Sequence, residues 1–391
     1  MVRELRMGEQ EQLREQAPAK TRKAPMDLPF LLLILLLLSI GVIMVLSASF
    51  ASAYYDLTRV TGGNPTFYFL NQAVFALSGV VLMLAVSRFS TSFYRRMAFP
   101  SMVAAIGLLL LVPLIGVEAG GATRWINLGF TTFQPSEIAK PAVVLLFAHM
   151  ACIYREKMKR PRYGILPFAC ILLVIAGLLL IQPHLSATII ILAVGACMMF
   201  LGGTPVGWFI AGFGVLTAAG VAVIRFFGHA NARIIAWRNP FDAPRGAGWQ
   251  IIQSLYAIGS GGVLGLGLGQ SRQKYLYLPE EHNDFIFAIV AEELGFVGVM
   301  LILFLFSLLI IRGYWIALHA KTKFASLVAA GMSTMLAIQV FLNVGVVTNL
   351  LPPTGISLPF FSYGGTALWF QLICMGVVLG VSREIPAKKA G

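Results

Sequence analysis

The chain has 391 residues, 58% of them hydrophobic and 12% charged, with a mean hydropathy of +0.83. A water-soluble domain cannot bury that much apolar surface, so the composition points to a polytopic membrane protein. The formal charge of +13 falls in short segments between apolar runs and not on one soluble face, which argues against a nucleic-acid binder.

Residues 1–27 are polar, with six Lys/Arg and four Glu, and read as a flexible cytoplasmic tail. The apolar run that follows, Leu28 to Phe50, is too long for the core of a signal peptide and reads as a first span. Ten spans are expected, at roughly 28–50, 67–86, 97–116, 136–153, 164–182, 186–202, 205–227, 285–311, 324–347 and 366–382, each near the ~20 residues that cross a hydrocarbon core. The reading is an all-α polytopic membrane domain over 28–384, with a short cytoplasmic tail at 385–391. With the N-terminus inside, 20 of the 29 Lys/Arg fall in inner segments, so both termini are placed in the cytoplasm.

Three outer segments are unusual. Residues 120–135 (GGATRWINLGFTTFQP) combine Gly, Trp and Phe with one Arg. The large extracytoplasmic loop at 228–284, between spans seven and eight, is too long for a passive linker. Residues 349–365 (NLLPPTGISLPFFSYGG) are rich in Pro and Gly yet apolar, so their backbone must be buried against protein or line a cavity. All three lie on one side, which places a working site there. The four cysteines sit in or beside apolar runs without metal-ligand spacing and read as small buried hydrophobes.

The chain has four aspartates, and one of them, Asp284, stands where the polar stretch PEEHN meets the apolar FIFAIV. A carboxylate at the start of a helix is favoured by the helix dipole, which is its structural explanation. Its neighbours Glu280, Glu281 and His282 favour a functional one. Glu292 and Glu293 lie further along the same helix, about 12–13 Å deeper by helical rise, and read as a structural polar network, with a proton path as the sharper alternative. Glu137 and Lys140, three apart on span four, share a face, and Pro141 should kink the helix there. They form either an internal ion pair or a cation that holds Asp284 or a lipid phosphate. The basic residues of the long loop beside GSGGVLGLGLGQ could receive a phosphorylated lipid head group, although surface charge explains any single Arg. His184 has no ligand partner in sequence, and Ser362 lacks a His/Asp pairing, so a metal site and a serine nucleophile are both unexpected.

Four blocks in order, GATRWINLGFTTFQPSEIAK, NPFDAPRGAGWQIIQSLYAIGSGG, YLPEEHNDFIFAIVAEELGFVG and NVGVVTNLLPPTGISLPFFSYGGTAL, resemble the SEDS family of bacterial shape, elongation, division and sporulation proteins. The likeness covers nearly the whole membrane domain and is nearer the FtsW and SpoVE branches than RodA. It implies a peptidoglycan glycosyltransferase of the bacterial cytoplasmic membrane that polymerises lipid II on the outer face. It also implies a class B penicillin-binding protein transpeptidase as partner, with other division or elongation proteins, and no nucleic acid. The family's essential aspartate matches Asp284, and its Glu and Lys on span four match Glu137 and Lys140. Arg124, Arg245 and Ser362 join these two as candidates for binding substrate or tuning the site. No nucleotide cofactor is required, and a divalent cation (Mg or Mn) is admitted. The chain departs from the family at His184, where many members are acidic, and at Glu281 before the motif. A lipid II flippase and a non-catalytic scaffold for the penicillin-binding protein stay open as alternatives, as does the choice among division, elongation and sporulation.

Overall fold

A computed structural model describes residues 25–56, 61–119, 122–127, 129, 131–212, 214, 237–242, 244 and 247–385. Long apolar runs without helix-breaking clusters become helices here because a lipid-exposed backbone must satisfy itself. In chain order they are α1 (Leu28–Tyr55), α2 (Phe67–Val86), α3 (Thr91–Ile115), α4 (Pro135–Tyr154), α5 (Leu166–Ile181), α6 (Leu185–Gly202), α7 (Ala247–Gly261), α8 (Ile286–Leu318), α9 (Lys323–Val347) and α10 (Gly365–Ser382). Among the described residues nine helices are long and apolar enough to cross a membrane; α7 is not one of them. Of the expected seventh span, 205–227, only 205–212 and 214 are described.

Burial sorts the helices. The apolar windows of α9 and α10 are each 72% buried, against 22% for α2, so α9 and α10 form the centre and α2 faces outward. At one end Asp27 caps α1 by accepting from Phe30 N at 3.0 Å. It also pairs with Arg312 of α8 at 2.8 Å and donates its own N–H to Ser382 Oγ of α10 at 3.2 Å. Arg312 further stacks over Trp315, 4.0 Å from the ring centroid. With its charge held in this way, α8 runs on to Leu318, past the expected end at 311.

The far end carries a feature that the hydropathy pattern conceals. Helix α8 breaks at Gly295, whose φ of 66° and ψ of −170° leave the helical region. Residues 262–267 fill the break. Leu266 N and Gly267 N donate to the Glu292 and Glu293 carbonyls at 2.9 and 3.0 Å, and Phe296 N and Val297 N donate to Gly262 and Val263 at 2.9 and 3.1 Å. Such close passage needs glycine: a Cβ on Gly265 would lie 2.2 Å from the Glu293 oxygen, and one on Gly295 would lie 2.2 Å from Gly265 N.

The break changes the depth of the two glutamates. From Leu318 to Gly295 the rise is about 34 Å, already a full hydrocarbon thickness. Helix α9 climbs about 30 Å from Lys323 to Asn343. There the Asn343 side chain donates to the Asp284 carbonyl at 2.9 Å. Residues 286–294 therefore run across this end of the bundle instead of adding depth, and Glu292 and Glu293 lie near the level of Asp284, not 12–13 Å below it. The α1 ladder agrees: Asp27 meets Arg312, and Ser47, about 30 Å further along, donates to Glu293 at 2.7 Å.

The same end carries a three-stranded antiparallel sheet, β1 (Val117–Ala119), β2 (Ala122–Asn127) and β3 (Thr132–Phe133), where a loop was expected. The described part of the long connection before α8 is also structured. It contains α7, whose Ser254 donates to the Val347 carbonyl at 2.7 Å, and Trp237 Nε1 donates to the Asn349 carbonyl at 3.1 Å.

Gly295→Ala and Gly265→Ala are expected to lower the thermal midpoint of the purified protein, each costing about 1–3 kcal/mol for the strained backbone alone. Gly177→Ala, where an added Cβ meets nothing within 4 Å, should leave it unchanged or slightly raised. Thermal unfolding in detergent measures all three.

Candidate active site

Asp284 is the residue before Phe285, the N-cap of α8, and its main chain is fixed from one side. Three successive carbonyls each receive a donor: His282 from Tyr363 N at 2.9 Å, Asn283 from Ser362 Oγ at 2.7 Å, and Asp284 from Asn343 Nδ2 at 2.9 Å. The donors come from the Pro/Gly-rich segment 349–365 and from the one asparagine of α9. That segment is braced in turn. Ser362 Oγ accepts from Leu358 N at 2.7 Å, Asn343 Nδ2 also donates to Ile356 O at 2.6 Å, and Ser186 Oγ bonds the Thr354 carbonyl. This answers the demand that an apolar, non-helical segment satisfy its backbone internally.

The carboxylate itself packs against Gly355, where a Cβ would come within 2.9 Å of Asp284 Oδ2. Gly355 also has a φ of +65°, so two independent reasons hold glycine there. Among the described residues no hydrogen-bond donor and no ion-pair partner reaches the Asp284 side chain. Its pKa is raised from 3.8 to about 6, first by burial, then by the charge of Glu280, while Arg124 and His282 pull it down. At neutral pH the carboxylate is ionised, yet it sits close enough to neutrality to accept a proton readily.

Arg124 reaches the site from β2. Its guanidinium donates to the carbonyls of Gln182 and Pro183, the former at 3.4 Å, and it lies near enough to Asp284 to lower that pKa. His282 lies against Tyr68, with ring centroids 4.5 Å apart, and near Tyr363 at 5.9 Å. Asn283 Nδ2 donates to Glu280 Oε2 at 2.6 Å, which holds the turn that delivers Asp284.

Glu137 and Lys140 are brought together, 2.7 Å apart, on the first turns of α4, which stays helical through Pro141. Lys140 is buried and makes no ion pair with Asp284. Glu137 lines a cavity of about 30 Å³ with Gln339, Gln371 and Ser362, which puts the Glu137–Lys140 pair just behind the Ser362 clasp. Gln339 Oε1 and Gln371 Nε2 are buried there without a partner among the described residues. His184 is also buried, with Ser136 Oγ 3.3 Å from its Nε2 and the Gln134 amide against the same nitrogen. Burial first, then Arg124 and Lys140, push its pKa down to about 3, so the imidazole is neutral.

Glu292 and Glu293 hold the crossing segment to the bundle. Glu292 accepts from Ser260 Oγ and Arg272 N, both at 3.1 Å, and from Gln273 N at 3.3 Å. Glu293 pairs with buried Lys274 at 3.1 Å. Arg245 lies outside the described residues. The fixing residues Asn343, Gly355 and Tyr363 were not singled out from sequence. A lone Asn in an apolar span is a signal for the first, since a polar group there needs a stated partner.

Among the described residues no group of three or more His, Cys, Asp or Glu side chains is placed to hold a metal ion. A divalent ion at Asp284 would have that carboxylate and take its other ligands from substrate phosphates and water, which is how Mg²⁺ is commonly held.

The model of the family described as "Cell cycle protein" (FtsW, RodA, SpoVE) matches residues 27–386. Stage V sporulation protein E of Bacillus subtilis is 41% identical over 93% of this chain and 98% of that protein. The probable peptidoglycan glycosyltransferase FtsW of Trichlorobacter lovleyi is 38% identical over 93% of this chain and 95% of its own length. Among solved structures, a chain from "Structural coordination of polymerization and crosslinking by a peptidoglycan synthase complex" superposes with a TM-score of 0.76 at 30% identity, covering 92% of this chain and 98% of that one. The rod shape determining protein RodA of Thermus thermophilus superposes with a TM-score of 0.66 at 27% identity, over 93% and 99%.

The charges around Asp284 make opposite demands on its titration. Arg124→Gln removes a cation that favours the carboxylate, so the ionisation midpoint should rise above about 6; Glu280→Gln removes a like charge, so it should fall. Infrared difference spectroscopy of the carboxyl band over a pH series reads both shifts.

Proposed function

The chain belongs to the cell cycle protein family of FtsW, RodA and SpoVE, and on that premise we propose that it is a peptidoglycan glycosyltransferase that polymerises lipid II on the outer face of the bacterial cytoplasmic membrane. The observation that carries this reading is one ionised, partly desolvated carboxylate, Asp284, fixed through its backbone at the membrane surface with a guanidinium close by. An acceptor hydroxyl attacks the anomeric carbon of the donor sugar, and the bond from that carbon to the lipid pyrophosphate breaks. Asp284 takes the hydroxyl proton as general base. Arg124 stands where positive charge can stabilise the leaving pyrophosphate. A divalent ion held between Asp284 and substrate phosphates would add charge neutralisation at the same point. Glu137 and Lys140 tune the site through the polar cavity behind Ser362.

The orientation that fits the Lys/Arg distribution puts both termini in the cytoplasm and Asp284 outside. A class B penicillin-binding protein is the partner this reading assigns, crosslinking the strands as they emerge, together with other proteins of a division or elongation complex. The similarity to a chain of a peptidoglycan synthase complex supports that assignment.

The test is polymerisation of lipid II by purified protein, with and without partner and divalent ions. Asp284→Asn is expected to fold normally and to lose at least about 100-fold in rate, the usual contribution of a general base. Wild-type activity should rise with pH through about 6, because the base form of Asp284 is populated above that value. Full polymerisation by Asp284→Asn removes the residue from catalysis. Lipid II flipping in liposomes that survives the substitution, with no polymer formed, points to transport instead.

A further inference from the structure

The end of the bundle opposite Asp284 holds a cavity of about 560 Å³ that the glycosyl-transfer chemistry does not use. It lies where four helices meet: the starts of α3 and α9 and the ends of α4 and α6. Four cations line it, Arg95, Arg155, Lys159 and Lys323, with one carboxylate, Glu156. None of the four makes an ion pair among the described residues. Arg95 Nε is 3.3 Å from His149 Nδ1, which is not a counter-charge. The nearby carboxylate of Glu384 is already committed to Thr91, accepting from its N–H at 2.9 Å and its hydroxyl at 2.6 Å.

Basic residues on this side also serve as a topology signal, and that accounts for Lys157, Arg160 and Arg162, which do not line the cavity. It does not account for four of them around one void. The starts of α3 and α9, 25 residues each, bring two positive helix-dipole ends to the same place. Two of the lining residues also have exposed apolar neighbours in the chain. Ile153 and Leu201, next in the chain to the lining residues Cys152 and Gly202, are 57% and 36% exposed.

We propose that this cavity binds the phosphate of an anionic phospholipid head group from the adjoining leaflet. Phosphate oxygens would accept hydrogen bonds from Arg95, Arg155 and Lys323, and the acyl chains would lie along the apolar surface by Ile153 and Leu201. The bound anion would relieve repulsion among four cations on α3 (Arg95), on the turn after α4 (Arg155, Lys159) and on α9 (Lys323); α4 and α9 carry Glu137 and Asn343 at their other ends. The inference needs only the membrane location, not the glycosyltransferase reading.

The experiment uses full-length protein in detergent and reads lipid retention by native mass spectrometry, together with the thermal midpoint. The probes are phosphatidylglycerol, phosphatidylcholine and inorganic phosphate. Wild type should retain phosphatidylglycerol over phosphatidylcholine and unfold at a higher temperature with it. Each charge removed, as in Arg155→Gln and Lys323→Gln, should lower retention about fivefold, at ~1 kcal/mol per basic residue. Glu156→Gln should raise retention, which keeps the test valid if a charge-loss variant folds poorly. Arg162→Gln, off the cavity, should change nothing. Equal retention by the Arg155→Gln/Lys323→Gln protein and wild type overturns the site. Protection by inorganic phosphate that matches the lipid overturns the lipid as the source and leaves a soluble phosphate in its place. Because no step reads glycan synthesis, failure here leaves the catalytic reading untouched, and the reverse holds.

Discussion

Three consecutive carbonyls, those of His282, Asn283 and Asp284, have to find donors at one end of a helix bundle, and the rest of the site follows from how they do so. Where burial keeps water out, an unpaired carbonyl costs about 1–3 kcal/mol. Tyr363 N, Ser362 Oγ and Asn343 Nδ2 meet the need. In doing so they commit the backbone face of the motif to the protein interior and leave the Asp284 carboxylate without a side-chain partner. A group with no partner, half out of water, is one whose proton affinity rises, and the proposed general-base role rests on this. The Pro/Gly-rich segment is therefore a clasp, and its irregular course lets it meet two successive carbonyls while Asn343 of α9 meets the third.

The break at Gly295 serves the same end. A straight helix from Ile286 to Leu318 would be about 50 Å long and would carry Asp284 far beyond the helix termini at that end. Breaking it turns the first nine residues across the bundle, back to Asn343. The exposed backbone at the break is made good by the 262–267 loop, and the turned segment is fastened by Glu292 and by the Glu293–Lys274 pair. Removing one member of a buried ion pair strands the other, which suits these groups to fixing a geometry. They fasten the segment that leads from Asp284 to the break.

Much of this was legible in the chain. Nine of the ten expected spans, the aspartate at a loop-to-helix junction, and the i,i+3 pairing of Glu137 with Lys140 all follow from local patterns. What was illegible depends on contacts between distant residues. Glu292-Glu293-Leu294-Gly295-Phe296 reads as uninterrupted apolar helix after two glutamates, and nothing nearby announces that residues 262–267 will replace its hydrogen bonds. The depth assigned to the glutamates failed for the same reason, since it assumed a straight helix. Asn343 and Asp284 stand 59 residues apart, and their bond appears only when α9 packs beside α8. The small sheet was missed because its strands are two to six residues long, too short for an alternating pattern to show.

The central claim is that the clasp, acting through the backbone, sets the working position of Asp284. The most direct measurement is the turnover of lipid II by Ser362→Ala, with Asp284 intact. Removing the hydroxyl frees the Asn283 carbonyl and the Leu358 N–H while leaving the carboxylate and its neighbours in place. The account predicts that kcat falls at least about tenfold with KM close to wild type, as a small misplacement of a catalytic group would cause, while the thermal midpoint falls because two backbone groups lose their partner. An unchanged kcat in a folded Ser362→Ala protein would contradict it.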